Sequence, residues 1–449
     1  MLVTIHRGTH EIGGSCVEIL NCGSRIIIDL GIPLVEQNGD RFDRRILDDL
    51  DGPDLIGNGV LPNVRGVYKW DHSPKPEGLL LSHAHLDHYG LFRFVRDDML
   101  YYLGEGARRL IGLTDAFLNT GCGIKRHVCL RSGETLRVGK FRVTPYLMDH
   151  SAFDAYAFVI DANGKMIIYS GDFRCHGRKG KAFEWFLSQA PREADALLME
   201  GSMIGREEGS PRTEKAIENE LVNAFRKSDG LALCLASGQN IDRLVSIYRA
   251  ALRSQRIFVA DVYTATVLHA IADMARIPHP SETFPRIRVF YPYRLAAKLK
   301  REGKEDLLYR FTKYKITKRE IADGAGNYVM LMRQSMIPDI ERIGNLSDAT
   351  LIYSMWAGYL KEVSSLPLLQ FVERNGLNMI HVHTSGHAGI GTLQRVVKEL
   401  RPKAVVPIHT FMPDAYKELL PGVRIIRAAD GMSLKIAGET GDQTEPGVS

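Results

Sequence analysis

The run GLLLSHAHLDHYGLF, residues 78–92, sets His83, His85, Asp87 and His88 within six positions at the end of a short apolar stretch. An apolar run that gives way to imidazoles and a carboxylate reads as a buried strand ending at a polar sheet edge. The helical spacing of LDHYGLFRFVRDD then starts a helix. Neutral imidazole and carboxylate are the ligands of divalent metals such as Zn²⁺. Side chains two apart, as in His83 and His85, converge where the backbone is extended or turning. Asp87 and His88, adjacent at a helix start, splay apart. One short loop can therefore feed two neighbouring metal positions. A single histidine here would read as a helix-cap residue; three with an aspartate point to metal.

The rest of such a site is expected at other strand ends. His150 closes FRVTPYLMDH, Asp172 closes KMIIYSGD and His409 closes KAVVPIHT. Each alone is ordinary turn chemistry. Together with the first four they make seven ligands, enough for two metals with Asp172 bridging.

The first 200 residues read as β-rich, with hairpins in LVTIHRG, SCVEILNCG and SRIIIDLG and a turn at Asn163-Gly164. After about residue 207 strand and helix patterns alternate, as in a parallel α/β unit. Residues 293–320 hold ten Lys or Arg against four Asp or Glu, and most of these read as a solvated helical face. The 449 residues, 45% hydrophobic and 25% charged, suit a soluble globular protein of two or three domains. Net charge is only +5, so any polyanion site must come from local clustering. No signal peptide and no run of ~18 apolar residues is read, so no membrane span is implied. Six scattered cysteines without C-x-x-C suit reduced thiols and a cytoplasmic protein. Cys122, His127 and Cys129 offer three donors at a spacing that fits no closed four-ligand zinc site.

The order His-x-His-x-Asp-His, a lone His, then Asp after an apolar strand resembles the metallo-β-lactamase fold, an αββα sandwich with metals at the sheet edge. Asp172 and His409 are 237 positions apart, too far for a loop, so an α/β domain is expected to be inserted there. This resembles the β-CASP branch of nucleases, in which a lid domain interrupts the metal-bearing one. The resulting division is 1–206 for the first part of the metallo-β-lactamase domain and 207–378 for the inserted domain. Residues 379–437 form the return segment, and 438–449 a tail read as disordered. In that branch a carboxylate follows the next strand, matched by Glu200 in ALLMEGS. A His follows a later strand, matched by His387 in HVHTSGHA. His409 matches the final His of the RNA-processing members. HTSGHA looks most like the ribonuclease J family and its archaeal relatives. The sequence departs from bacterial ribonuclease J in having no counterpart of its additional C-terminal domain, and in SMWAGYLKE where a different Ser-rich strand end is expected.

The resemblance implies two divalent ions, Zn²⁺ or Mn²⁺. His83, His85, His150 and Asp172 would hold one; Asp87, His88, His409 and Asp172 the other. Asp87 would also orient the water, and His387, oriented by Glu200, would act as general acid. His383, Ser385 and Gly386 read either as a phosphate cradle or as a strand-ending turn. His6, His10, His72, His127, His176, His269 and His279 are read as structural or surface residues. The expected substrate is single-stranded RNA in a groove between the domains, cut 5′ to 3′ from a monophosphate end with internal cutting possible. A DNA nuclease of the same fold, a small-molecule esterase or thioesterase, and a non-catalytic RNA-binding scaffold are the alternatives.

Overall fold

Cys22 and Gly23, both at positive φ (49° and 77°), make the two-residue turn that folds SCVEILNCGSRIII into the antiparallel strands Cys16–Asn21 and Ser24–Ile28. Asn163 and Gly164 (φ 53° and 72°) do the same for Ala155–Ala162 and Lys165–Tyr169. The computed structural model describes residues 1–36, 40–206, 209, 211–344 and 346–436, so the expected tail 438–449 lies outside the described residues. The chain divides into two compact units. One comprises Met1–Cys175, Lys179–Ser210 and Gly386–Ser449; the other comprises His176–Arg178 and Pro211–Ser385.

The first unit stacks two sheets. In spatial order one holds Ser433–Lys435, Leu2–Arg7, Cys16–Asn21, Ser24–Ile28, Gly78–Leu80, Tyr101–Leu103 and His127–Cys129. The other holds Val405–Ile408, Ala196–Glu200, Lys165–Tyr169, Ala155–Ala162, Phe141–Met148 and Leu136–Val138. Val3, Ile19 and Ile28 of the first sheet pack into one core with Phe158, Tyr169 and Leu198 of the second. The opposite face of the second sheet is covered by the helices Gly180–Gln189, through Phe183 and Phe186, and Ile390–Leu400, through Leu393 and Val396. This is an αββα sandwich.

Strand direction decides where the polar residues collect. Ala196–Glu200 runs parallel to both Lys165–Tyr169 and Val405–Ile408, so Asp172, Glu200 and His409 leave the sheet at one edge. Phe141–Met148 is antiparallel to Ala155–Ala162, which is antiparallel to Lys165–Tyr169, so His150 leaves at that edge too.

The second unit is a six-stranded parallel sheet, ordered Ile287–Phe290, Ile257–Asp261, Tyr328–Met332, Ala232–Leu235, Thr350–Tyr353, Asn378–His381. Its central strands are largely apolar and buried, as expected of parallel strands covered on both faces. Ile287–Phe290 was not expected from sequence, because two arginines interrupt the apolar signal of RIRVF. The basic stretch folds into Tyr293–Arg301, Glu305–Tyr309, Thr312–Tyr314 and Lys318–Asp323, with Leu299, Leu308, Phe311 and Ile321 buried. Five of its cations are ion-paired: Lys298 and Lys304 with Glu302, Lys313 with Glu282, Lys318 with Asp339 and Arg319 with Asp323. Lys300, Arg301 and Lys315 are exposed. Among the described residues no helix is long and apolar enough to cross a membrane.

Candidate metal centre

The strand Gly78–Leu80 delivers Ser82 and His83 into the sheet edge, and His85, extended at φ −98° and ψ 146°, caps the short helix Leu86–Tyr89. That turn sends the four side chains of the motif to two places. The ligand atoms of His83, His85 and His150 lie within 4.8 Å of one another, and so do those of Asp87, His88, Asp172 and His409. Asp172 stands between the groups. Its Oδ2 lies 3.3 Å from His88 Nε2, 3.5 Å from His409 Nε2 and 3.8 Å from His83 Nε2. Asp87 Oδ2 lies 3.8 Å from the Nε2 atoms of both His88 and His409. Two ligands on one tetrahedral Zn²⁺, each about 2 Å from it, stand roughly 3.3 Å apart.

His83 Nε2, His88 Nε2, His409 Nε2 and Asp172 Oδ2 are buried and have no hydrogen-bond partner. Unsatisfied buried polar atoms are costly and rare, and these four face one another. The donor set fits divalent cations: each inward atom is a lone-pair donor with nothing else to bind.

The outward nitrogens are held. His88 Nδ1 donates to Asp29 Oδ2 at 2.8 Å, and Asp29 also accepts from Ser82 N–H, Ser82 Oγ–H and Tyr169 O–H, each at 2.8 Å. His150 Nδ1 donates to the Gly386 carbonyl at 2.7 Å, and His409 Nδ1 lies 2.9 Å from Ser15 Oγ. Such partners fix tautomer and ring orientation in metal-binding histidines. Burial drives His83 and His150 well below the usual imidazole range, His85 down to about 4, and His409 lower as well. His88 is also buried, but Asp172, Asp29 and Asp87 outweigh this and raise it well above that range. Burial likewise opposes ionisation of Asp172, yet the surrounding imidazoles hold its carboxyl well below the usual range.

A third group joins Asp172, Glu200 and His387. His387 Nδ1 stands 3.3 Å from Glu200 Oε1 and 3.6 Å from Asp172 Oδ2. Glu200 is buried and also accepts from the backbone of Phe173, Ser202 and Ala388 at 3.1–3.4 Å. Burial lowers the His387 pKa, but Glu200 and Asp172 outweigh it and the net shift is upward.

The phosphate-cradle residues divide between the units. Gly386 belongs to the first, where it holds His150; a Cβ there would meet Ser151 Oγ at 2.6 Å. His383 and Ser385 belong to the second. There Arg212 donates to the His383 carbonyl at 2.9 Å, and His176 Nε2 bonds the Ser385 carbonyl at 2.9 Å. Burial takes the His383 imidazole down to about 3, and its Nδ1 has no partner. Of the histidines set aside from sequence, His6 pairs with Glu18 at 2.8 Å, and His269 and His279 lie ring to ring at 5.7 Å. His127 and Cys129 are exposed on their strand beside Glu105, whose carboxylate is taken by Arg108 and Arg109; Cys122 is buried and donates to the Gly90 carbonyl.

Sequence reasoning missed Asp29, Ser15, Tyr169 and the buried pair Asp149–Arg174. Asp29, ending the apolar run IIID, and Asp149, ending YLMD, carried the strand-end signature that singled out His150 and Asp172; Ser15, Tyr169 and Arg174 did not.

A sequence model of the β-lactamase superfamily domain matches residues 44–229, and the chain carries a metallo-β-lactamase domain. Beyond that domain it is similar to ribonuclease J of Helicobacter pylori (strain ATCC 700392 / 26695), 21% identical over 416 residues, covering 90% of this chain and 55% of that protein. Ribonuclease J of Mycobacterium tuberculosis (strain CDC 1551 / Oshkosh) is 26% identical over 264 residues, covering 56% of this chain and 42% of its own. An RNase J-like protein of Methanocaldococcus jannaschii is 20% identical over 286 residues, covering 61% of this chain and 60% of that protein. The chain spans about half the length of the curated relatives it matches. A crystal structure of a protein of unknown function from Enterococcus faecalis V583 shares the fold: TM-score 0.74, 20% identity, 96% of this chain and 99% of that one.

Proposed function

We propose that the chain is a metal-dependent ribonuclease of the β-CASP type that hydrolyses single-stranded RNA. The observation that carries this reading is the convergence of three buried, unpartnered imidazole nitrogens on the equally unpartnered Asp172 Oδ2, beside an imidazole backed by a carboxylate. His83, His85 and His150 would hold one divalent ion and Asp87, His88 and His409 the other, with Asp172 shared. When bound, two such ions supply charge neutralisation on the phosphoryl oxygens and a water of lowered pKa. Asp87, part-exposed, would orient that water. His387 would deliver a proton to the leaving oxygen, while Glu200 holds the ring in place through Nδ1. In the inserted unit, Lys300, Arg301 and Lys315 would contact phosphates, and His383 and Ser385 would receive a 5′-phosphate, giving 5′-to-3′ removal of nucleotides with internal cutting where the end is blocked.

Purified protein incubated with labelled RNA, matched DNA and a generic phosphodiester tests the reading. RNA cleavage that a chelator abolishes and added Zn²⁺ or Mn²⁺ restores supports it. DNA cut with RNA left intact contradicts it.

A further inference from the structure

His150 and Asp172 leave strands that are not neighbours. Phe141–Met148 and Lys165–Tyr169 are separated by Ala155–Ala162, which puts the two strand ends about 10 Å apart. Something has to draw the two loops together over the intervening strand. The residues flanking the candidate ligands do this. Asp149, next to His150, and Arg174, two beyond Asp172, form an isolated antiparallel bridge. The Arg174 N–H donates to the Asp149 carbonyl at 2.6 Å. Their side chains pair, Arg174 Nε to Asp149 Oδ1 at 3.5 Å, and both are fully buried. Lys179 Nζ adds a bond to the His150 carbonyl at 2.9 Å.

A buried ion pair is an expensive way to fill space, because well-packed apolar residues of the same volume are often as stable or more so. What an ion pair adds is direction. We infer that Asp149 and Arg174 are positioning residues, a clamp that sets the distance between His150 and Asp172 and hence between the two metal positions. This rests on the reading of His150 and Asp172 as metal ligands.

Isothermal titration of metal-free protein with Zn²⁺, alongside thermal melting of the same metal-free samples, tests the clamp. The variants are Arg174→Lys, Asp149→Asn and the double variant Asp149→Asn/Arg174→Met, which removes both charges of the pair together. Each should lower metal affinity about 10–100-fold, as loss of supporting groups around metal ligands does. The double variant should bind no more weakly than the single ones, because the pair acts as one unit. The double variant's metal-free melting temperature should stay near wild type. A double variant that binds two ions with wild-type affinity overturns the clamp. So does a fall in melting temperature with affinity unchanged, which marks a merely structural pair. A wild type that takes up no metal overturns the ligand assignment, and the clamp with it.

Discussion

Asp172 is the residue on which the two candidate metal positions depend together, because its Oδ2 lies within 3.8 Å of imidazoles from both groups. Asp172→Ala should therefore lower metal content from two ions per chain towards none and abolish RNA cleavage; elemental analysis of the desalted protein reads the first. Retention of two ions would remove Asp172 from the shared position. His387 occupies a different place. It leans on Glu200 and is part-exposed, where His83, His88 and His409 are closed in. His387→Ala should cost about 10²–10⁴ in turnover with metal content unchanged. Loss of an ion in that variant would make His387 a ligand. At this scale the strand-end signature named residues that the fold brings close together: His83, His85 and His150 in one group, and Asp87, His88, Asp172 and His409 in the other. The outward partners were hidden, because Ser15 and Tyr169 become neighbours of the imidazoles only through sheet pairing. His383 and Ser385 were named with Gly386 as one motif, yet the backbone carries them into different units.

Among the elements, the helix Glu214–Lys227 shows how the inserted unit is held. Its Glu218 side chain is 2% exposed and pairs with Arg178, Lys215 and Arg253 at 2.8–2.9 Å. Burial opposes its ionisation, but these three cations prevail and hold the carboxyl down at about 2. A carboxyl depressed from the ordinary 4.5 contributes stability that is fully present above pH 4.5 and is lost as pH falls towards 2. Glu218→Gln should accordingly lower the melting temperature at pH 7, with the gap to wild type closing as pH falls from about 4.5 to 3. A gap that is constant across that range would show the cations do not depend on the carboxylate charge. Strands were the legible elements where apolar residues ran unbroken, as in ALLME and TLIY. Ile287–Phe290 and the edge strand His127–Cys129 were not, since polar residues in three- and four-residue strands leave too short a signal.

For the whole molecule, the sequence separated a sheet-rich part from an α/β part because the hydrophobic pattern changes near residue 207. Most of the basic stretch read as a solvated helical face, and Lys298, Lys304, Lys313, Lys318 and Arg319 are engaged with carboxylates. Sequence spacing alone does not pair Lys313 with Glu282 or Lys318 with Asp339. The proposed phosphate contacts in this stretch are the exposed Lys300, Arg301 and Lys315. Replacing all three by Ala should weaken RNA binding at low salt and reduce the slope of log affinity against log salt by about 0.7 for each phosphate no longer neutralised. An unchanged slope would move the RNA track elsewhere on the molecule.

The central claim is that a metal-bearing sheet edge in this chain hydrolyses RNA. Its most direct test follows 5′-labelled and 3′-labelled single-stranded RNA oligomers, beside matched DNA, with metal-free protein before and after Zn²⁺ or Mn²⁺ is restored. The account predicts no cleavage without metal, and with metal an early release of mononucleotide from the 5′ label while the DNA persists. RNA cleavage at full rate by the metal-free protein, or RNA left intact in the presence of either ion, would contradict it.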